Sequence, residues 1–400
     1  MKAYPRGGKV DSKFLGYDLP VLHRKGASFT AQEIQGQPLL WQKTYQYVKK
    51  QKNQIREFLE RIFPLDGLSI VLTGAGTSAY IGDTLEGPIQ RKTGIITRAI
   101  ATTDIVTHPN IYLPEKKPVL LISFARSGNS PESVQAVKIA DAFCNEIYHL
   151  FITCNPNGQL AKCSSGKNSF AFILPPEADD QSLAMTGSFS SMLLAALLIS
   201  EIHNFEVYEK TVIHLVNYGN CILNDHLDKL KYAASLDFIR AVFLGSGPLR
   251  GIARESHLKL QELTDGKVIC KHDSYLGFRH GPKAVVDNRT LMVYLLSNNP
   301  YVQKYETDLI HAVNKNQKGI YRIALTEHKL NETEVDLLIQ ASCGEEIMPE
   351  EFWSICSVLP AQIIGFFKSI NLGFKPDSPS ESGTITRVVE GVNIYPYLRT

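Results

Sequence analysis

The sequence has little that would mark a secreted, membrane-spanning or metal-binding protein. Its seven cysteines form no CxxC pair, and no histidine–cysteine pair has the spacing of zinc ligands. The N-terminus lacks the apolar core of a signal peptide, and the most apolar runs, 192–199 and 357–367, are too short or too interrupted to cross a bilayer. The 42 basic and 40 acidic residues nearly balance, which argues against a general nucleic-acid or anionic-membrane surface. We therefore predict a cytoplasmic protein with reduced thiols, no metal ion, and no nucleic-acid or membrane partner.

What the sequence does have is a repeated order of β-rich and helical segments. Residues 68–94 pass from a short apolar strand through the glycine-rich turn GAGTSA into a helical pattern. Residues 118–143 repeat that order with the turn ARSGNS, and 182–202 begin with hydroxyls and continue as a long apolar helix. Strands that alternate with helices are typical of a mainly parallel sheet with helices on both faces. The predicted fold class is therefore α/β, in the form of flavodoxin-like or Rossmann-like sandwiches.

The second half of the chain resembles the first half. IVLTGAGTSAYIGDTL at 70–85 is similar to AVFLGSGPLRGIARES at 241–256, and Gly74 precedes Gly245 by 171 positions. The next predicted strands, PVLLISFARS and RTLMVYLLSN, begin 171 positions apart as well. Two strands in register at one offset predict two tandem α/β domains.

The predicted organisation has four parts. The parts are an extension with covering helices at 1–60, a first domain at 61–215, a second domain at 225–372 and a tail at 373–400. Apolar residues recur at near-helical spacing in 31–63, which predicts helices that pack over the first domain. The Pro/Ser-rich tail is expected to fold back over the body of the protein.

Three clusters of hydroxyl side chains follow predicted strands of the first copy and precede predicted helices. They lie at 77–78 (Thr77, Ser78), 127–130 (Ser127, Ser130) and 186–190 (from Thr186). Each cluster has two explanations: ordinary helix N-caps, or one anion site at the carboxyl edge of the sheet, where helix N-termini favour phosphate. We favour the phosphate site, because three clusters occur in one copy. At the offset of 171, Asn298 and Tyr301 replace Ser127 and Ser130, so we expect the second copy to supply something else.

The glycine-rich turns can also be compared with two nucleotide-binding motifs, the P-loop and the dinucleotide fingerprint. No lysine follows the pattern GxxxxGK[ST], which excludes a P-loop, and GAGTSA fits the dinucleotide fingerprint G-x-G-x-x-A. That fingerprint needs an acidic residue at the end of the second strand, and the first candidate, Asp104, fits this position poorly.

A helix and a loop of the second copy carry the candidate acid–base groups. Glu255, Lys259 and Glu262 share one helix face, and His280 lies in the loop RHGP. A solvated salt-bridged face and a simple turn histidine would explain them as well. A carboxylate and an imidazole beside a sugar phosphate are also what aldose–ketose chemistry requires, one for ring opening and one for proton transfer between C1 and C2.

Taken in order, these motifs resemble the SIS (sugar isomerase) family. The chain has GTS at 76–78, ARSGNS at 125–130, LKLQE at 258–262 and RHGP at 279–282, similar to the isomerase half of glucosamine-6-phosphate synthase. GAGTSAYIGD, SFARSGNSPES and the tail SGTITRVVEGV are more similar to the AgaS-type galactosamine-6-phosphate deaminase/isomerases. Members of that group are also called tagatose-6-phosphate ketose/aldose isomerases.

The resemblance implies a role for each candidate residue. Ser78, Ser127 and Ser130 match phosphate-binding hydroxyls, with Arg126 and Thr186 as weaker matches, and Thr77 lies beside them. Glu262 matches the base, Glu255 and Lys259 match its charged neighbours, and His280 matches a ring-opening histidine that a neighbouring subunit of a homodimer can supply. The synthase's C-terminal lysine has no evident match, and the tail's Arg387 is a candidate for its place.

The resemblance also implies a reaction. No cysteine occurs in the first 65 residues, so this region offers no thiol nucleophile for glutamine hydrolysis. The expected reaction is galactosamine 6-phosphate plus water giving tagatose 6-phosphate and ammonia, without a cofactor. Three alternatives remain open: a ketose/aldose isomerase without deamination, a non-catalytic sugar-phosphate sensor, and a dinucleotide-dependent oxidoreductase. The motifs do not distinguish galacto from gluco substrates.

Overall fold

The computed structural model describes residues 13–164, 166–315, 318–330, 334–342, 344, 346–389 and 391–397. It begins with a two-strand antiparallel pair and two helices: β1 (Lys13–Phe14), β2 (Tyr17–Asp18), α1 (Leu19–Lys25) and α2 (Ser28–Glu60). The helices predicted for 31–63 thus form most of one 33-residue helix, which tolerates Pro38 in its interior. One face of α2 is buried along its length, which makes it a packing helix as expected.

The first sheet has five parallel strands in the order β4-β3-β5-β6-β7. They are β3 (Ser69–Thr73), β4 (Ile96–Ala99), β5 (Val119–Ala125), β6 (Ile147–Thr153) and β7 (Ser169–Ile173). All seven residues of β5 are buried, as is usual for a central strand covered on both faces.

The second sheet repeats the first. Its five parallel strands are β8 (Arg240–Leu244), β9 (Ile269–Asp273), β10 (Thr290–Leu295), β11 (Tyr321–Thr326) and β12 (Leu337–Gln340), in the order β12-β11-β10-β8-β9. Ser69 pairs with Val119 in the first sheet, and Arg240 pairs with Thr290, each 171 positions later, in the second. The structure confirms the α/β class and the duplication.

Helices cover both sheets. Those of the first copy are α3 (Thr77–Thr93), α4 (Thr102–Thr107), α5 (Pro109–Tyr112), α6 (Pro131–Phe143), α7 (Gln159–Lys162) and α8 (Gly187–Ser200). Two helices, α9 (Tyr208–Asp225) and α10 (Leu227–Ser235), lead to the second copy. The second copy contains α11 (Pro248–Leu263), α12 (Tyr275–Phe278), α13 (Pro300–Asn314), α14 (Glu350–Cys356) and α15 (Leu359–Asn371).

The two copies meet where α3 packs against α11. Gly251 allows the close approach, because a Cβ atom at this position would lie only 2.2 Å from Thr84 Oγ1. The contact carries the charged face of α11 to the edge of the first sheet. The packing of α3 on α11 therefore brings residues of the two copies to one site.

The stretch of the described chain that has the length and hydropathy of a membrane span is a core element. An 18-residue window within Glu350–Asn371 has the length and hydropathy of a membrane span, but 94% of it is buried inside the protein. Its residues pack between the second sheet and the helices α9, α10 and α11.

Candidate functional site

A cavity of about 440 Å³ opens at the carboxyl edge of the first sheet. Its walls come from the turns after β3 and β5, from α11 of the second copy and from the C-terminal tail. The lining includes Thr77, Ser78, Arg126, Ser127, Ser130, Lys259 and Glu262. Seven of the ten residues predicted for the site therefore share one cavity.

The turn after β3 places the first hydroxyls. Gly74 has no room for a side chain, since a Cβ atom there would lie 2.6 Å from the carbonyl carbon of Ser78. Gly76 has φ +55°, a conformation that favours glycine. The chain thereby turns directly into the 17-residue helix α3, with Thr77 and Ser78 buried in its first turn. The positive end of the helix dipole faces the cavity.

The turn after β5 brings the second cluster to the same place. Gly128 has φ +66°, and Ser130 occupies the N-cap position of α6. Asn155 holds the turn by donating from Nδ2 to the carbonyl of Ser127, at 3.0 Å. Ser127 and Ser130 line the cavity together with Ser78. We call residues 75–78 and 126–130 the first cradle.

The third cluster does not join them, so the expected convergence of Thr186 is wrong. Asp180 receives the backbone N–H groups of Thr186, Gly187 and Ser188 at 2.7, 3.1 and 2.9 Å. The N-terminus of α8 is therefore already satisfied by a buried carboxylate, and Thr186 does not line the cavity. The aspartate pair 179–180, six residues before the cluster, is the sequence signal for this cap.

Arg126 lines the cavity, but its guanidinium binds backbone carbonyls. It donates to the carbonyls of Ser182 and Leu183, at 3.0 and 3.2 Å, and to the carbonyl of Arg387. Burial lowers the pKa of Arg126 from its ordinary value. Through these hydrogen bonds Arg126 connects the tail and the loop before α8 to the first cradle.

The charged face of α11 is a buried triad rather than a solvated surface. Lys259 Nζ lies 2.6 Å from Glu262 Oε2, 3.4 Å from Glu255 Oε1 and 2.9 Å from Thr77 Oγ1. Thr77 in turn donates to Glu255 at 3.3 Å, so the triad is bonded directly to the first cradle. Lys259 and Glu255 are 1% and 0% exposed, whereas the side chain of Glu262 is 23% exposed and faces the cavity.

The triad has unusual electrostatics. Burial would lower the pKa of Lys259, but Glu255 and Glu262 outweigh that effect and raise the pKa above its ordinary value. Burial raises the pKa of Glu255 to about 8, against the opposing effect of Lys259. The lysine thus keeps its charge and fixes the position of Glu262, while Glu255 lies behind it, away from the cavity.

Replacing Lys259 by methionine is expected to destabilise the fold. Glu255 would be left as a buried carboxylate without its cation, a change that typically costs about 3–5 kcal/mol. Without Lys259 the folded state would bind the Glu255 proton still more tightly than the wild type does, so the loss of unfolding free energy should be larger at pH 8 than at pH 5. Urea unfolding at both pH values measures this. The double variant Glu255→Gln/Lys259→Met should recover part of the loss, and no recovery would contradict the argument.

His280 lies outside the cavity. It is exposed in the loop that follows α12, beside Gly281, which has φ +113°. The fold of one chain therefore does not bring this imidazole to Glu262. The exposed side chain of Leu276 lies on α12, which packs against α13 with its exposed Tyr301 and Tyr305.

The tail forms a wall of the site, of which the sequence analysis named only Arg387 as a candidate. Residues 383–389 line the cavity, which confirms that the tail folds back over the body. Arg387 donates from Nη2 to Asp179 Oδ1 at 2.8 Å and from Nε to the carbonyl of Asp180 at 2.9 Å. Earlier in the tail, Asp377 accepts the N–H of Thr30 at 2.8 Å near the start of α2. The hydroxyl-rich composition of 380–386 was the available signal in the sequence.

The structure can also be compared with what a bound metal ion or a dinucleotide cofactor would require. In the described ranges, no group of three or more histidine, cysteine, aspartate or glutamate side chains is arranged to hold a metal ion. Strand β4 ends at Ala99 and continues into Ile100 and Ala101, so the strand itself has no acidic residue at the end where a dinucleotide ribose would be bound. Asp104 lies in α4 instead.

Comparisons with a family model, with curated proteins and with solved structures all find proteins of one family. The SIS domain model matches residues 66–200. The D-galactosamine-6-phosphate deaminase AgaS of Shewanella sp. (strain ANA-3) is 39% identical over 382 residues, covering 94% of each chain. The tagatose-6-phosphate ketose/aldose isomerase structure from Escherichia coli is 35% identical, with a TM-score of 0.85, over 93% of this chain and 97% of that one. A proposed enzyme of the same description from Clostridium novyi NT is 39% identical, with a TM-score of 0.92, over 96% and 99%.

Proposed function

The chain belongs to the AgaS family of SIS-domain proteins, and on this basis we propose that it is a sugar-phosphate deaminase/isomerase. The reaction is galactosamine 6-phosphate plus water giving tagatose 6-phosphate and ammonium. The observation that carries the proposal is the single cavity in which Glu262, held by Lys259, faces the hydroxyls of the first cradle. The cradle provides a site for a phosphate group, and the carboxylate provides a base in the same cavity.

The phosphate is held by Ser78, Ser127 and Ser130 and by the N-termini of α3 and α6. Hydroxyl and backbone N–H donors at a helix N-terminus suit a phosphate dianion. Thr77 contributes less directly, because its hydroxyl is already engaged with Lys259 and Glu255. Arg126 and Thr186 act on the tail and on α8 in our account, not on the phosphate.

Glu262 moves the proton. In the open-chain aldose it removes the proton from C2 while the carbonyl oxygen at C1 gains a proton, which gives an enolamine with a C1–C2 double bond. It then returns a proton to C1 as the nitrogen loses one. The product carries an imine at C2, and water adds to that carbon and expels ammonia, which leaves the ketose. Fixed dipoles of the cradle and the Lys259 ammonium stabilise the charge that develops on the substrate.

His280 opens the sugar ring in this proposal, from the neighbouring subunit of a cytoplasmic homodimer. The support is its exposed position outside the cavity of its own chain, next to the apolar surface formed by Leu276, Tyr301 and Tyr305. An imidazole can transfer a proton between the ring oxygen and the anomeric hydroxyl near neutral pH.

Ser127→Ala tests the cradle. Loss of one charge-assisted hydrogen bond to a phosphate typically costs about 1.5–3 kcal/mol, so KM for galactosamine 6-phosphate should rise about 10–100-fold. Because the bond is present in both the ground state and the transition state, kcat should change little. Ser235→Ala, at an exposed position on α10, is the matched control and should behave as wild type. An unchanged KM in Ser127→Ala would contradict the role of the cradle.

A ketose/aldose isomerase without deamination is the second candidate, favoured by the description of the Escherichia coli structure. Galactose 6-phosphate, which has no amino group, separates the two activities. A deaminase should form tagatose 6-phosphate from galactosamine 6-phosphate and slowly or not at all from galactose 6-phosphate. The reverse order would replace the deaminase by the isomerase and would leave the assignment of Glu262 unchanged.

A further inference from the structure

A second cavity, of about 420 Å³, lies where the duplication would place a second substrate site. Five of its lining residues stand 171 positions from residues of the first site: Thr84, Pro88, Arg91, Gly247 and Pro248. Their counterparts, in the same order, are Glu255, Lys259, Glu262, Gly76 and Thr77. Helices α3 and α11 themselves begin 171 positions apart, so this correspondence holds along both helices. The second cavity is the duplicate of the first.

The second copy keeps the turn but has lost the donors and the base. Gly247 has φ +54° and ψ −130°, close to the +55° and −127° of its counterpart Gly76. Pro248, in the place of Thr77, has neither an N–H group nor a hydroxyl. Arg91, in the place of the proposed base, pairs with the buried Glu351 at 2.9 Å. Proton transfer at a sugar C2 atom is therefore not expected here.

Counted from the first residue of the preceding strand, α13 begins two residues earlier than α6 does, because Val119 and Thr290 are 171 positions apart but Pro131 and Pro300 are only 169 apart. Ser130 occupies the N-cap position of α6, whereas Asn299 caps α13 by accepting the N–H of Tyr301. The correspondence of Ser130 with Tyr301 expected from the offset is therefore wrong, and Tyr301 is exposed. We call residues 246–249 and 297–299 the second cradle.

Carboxylates of the chain itself occupy the second cradle. The N–H of Ser297 donates to Glu306 Oε2 at 2.9 Å, and the hydroxyl of Ser297 donates to Glu350 Oε1. Asn298 donates from Nδ2 to Glu327 Oε2 at 2.6 Å. The other oxygen of Glu350 faces the turn, 4.0 Å from where a Cβ atom of Gly247 would lie. Three hydrogen-bond donors at the edge of the second sheet are thus already bound to carboxyl groups of the chain itself.

The three carboxyl groups lie close enough together to raise one another's pKa values. Glu306 and Glu327 are fully buried, and Glu350 is partly buried. Burial raises the pKa of Glu306 to about 8, and the nearby Glu350 adds to the effect. Burial likewise raises the pKa values of Glu327 and Glu350. The Oε1 atom of Glu306 is buried, and the side chain of Ser246 in the second cradle lowers the pKa of this carboxyl against the effect of burial.

We propose that the second cavity is a duplicated substrate site whose phosphate position is filled by Glu306, Glu327 and Glu350, so that the chain binds one phosphate group and not two. Glu350 is the member that closes the site to solutes, because it alone of the three lines the cavity. Removing its side chain exposes the hydroxyl of Ser297 and the turn at Gly247, with Arg91 and Arg250 in the wall. The vacated site is then an acceptor for inorganic phosphate or a phosphate monoester. The inference rests on the proposed function only in taking the first cradle as the phosphate site.

Binding stoichiometry of inorganic phosphate, measured by titration calorimetry on the full chain, tests the proposal. Wild type should bind one phosphate per chain, and Ser127→Ala should bind it much more weakly. Glu350→Ala should bind two, and Glu350→Ala/Ser127→Ala should retain one. Glu346→Ala removes an equal charge from an exposed position and should bind one. If Glu350→Ala does not fold, Glu350→Ser, which supplies a hydroxyl in place of the carboxylate, is the second variant.

The outcomes separate the two claims. No phosphate bound by wild type would contradict the first cradle and with it the proposed function. Two phosphates bound by wild type would overturn the self-filled second site. One phosphate in wild type and still one in folded Glu350→Ala and Glu350→Ser would overturn it as well. A second phosphate that appears in Glu350→Ala and in Glu346→Ala alike would attribute the gain to net charge and not to the cavity.

Discussion

Glu262→Gln is expected to lower kcat for ammonium release from galactosamine 6-phosphate by about 10²–10⁴-fold, the usual contribution of a positioned general base. Glutamine fills the same volume and can still accept a hydrogen bond from Lys259, which now lies 2.6 Å from Glu262 Oε2. The first cradle is untouched, so binding of the substrate should stay within a few-fold of wild type. Stopped assays for ammonium, with substrate affinity measured by calorimetry, give both quantities.

Solvent exchange makes this result specific to proton transfer. In deuterium oxide, wild type should incorporate deuterium at C1 of the ketose product, and Glu262→Gln should not. Glu209→Gln, at an exposed position on α9, is the control and should keep the wild-type rate. A Glu262→Gln variant that binds substrate and retains more than about a tenth of wild-type kcat would remove Glu262 from the role of base.

The second large effect is complementation between two inactive chains. His280→Ala alone should lose at least about 10²-fold in kcat, because ring opening loses its acid–base group. If His280 serves the neighbouring subunit, a mixed dimer of Glu262→Gln and His280→Ala chains has one intact site and one site with both defects. Random pairing should then restore about a quarter of the wild-type activity per chain, and purified mixed dimers should show about half.

Co-expression of the two variants with different affinity tags, followed by two-step purification of mixed dimers, measures this directly. His108→Ala, at an exposed histidine between α4 and α5, controls for the loss of a surface imidazole. Mixed dimers with no more activity than either parent would show that both residues act within one chain, and a purely monomeric protein would exclude the arrangement.

The alternation of strands and helices was sufficient to predict the fold, and the offset of 171 predicted the second sheet. Parallel strands end at one edge, so motifs that follow β3 and β5 are brought together by topology alone. Glu255, Lys259 and Glu262 are recognisable as one face because a helix has a fixed period. What the pattern does not contain is burial, and only the packing of α3 on α11 shows that this charged face is enclosed.

Three features depend on contacts that no local pattern records. Thr186 begins a hydroxyl-rich cluster that is typical of an anion site, but Asp180 accepts the N–H groups at the N-terminus of α8. The described part of the tail has no helix or strand, and Arg387 is held by residues more than 200 positions earlier in the chain. His280 matches a site residue by its motif but lies outside the cavity of its own chain.

The most direct test of the central claim is ammonium release by the purified protein from galactosamine 6-phosphate, with glucosamine 6-phosphate in a parallel reaction. The account predicts one ammonium for each tagatose 6-phosphate formed from the galacto substrate, and a slower or absent reaction with the gluco substrate. No ammonium from either substrate, while Ser127-dependent phosphate binding is intact, would contradict the deaminase and leave a phosphosugar site of another activity.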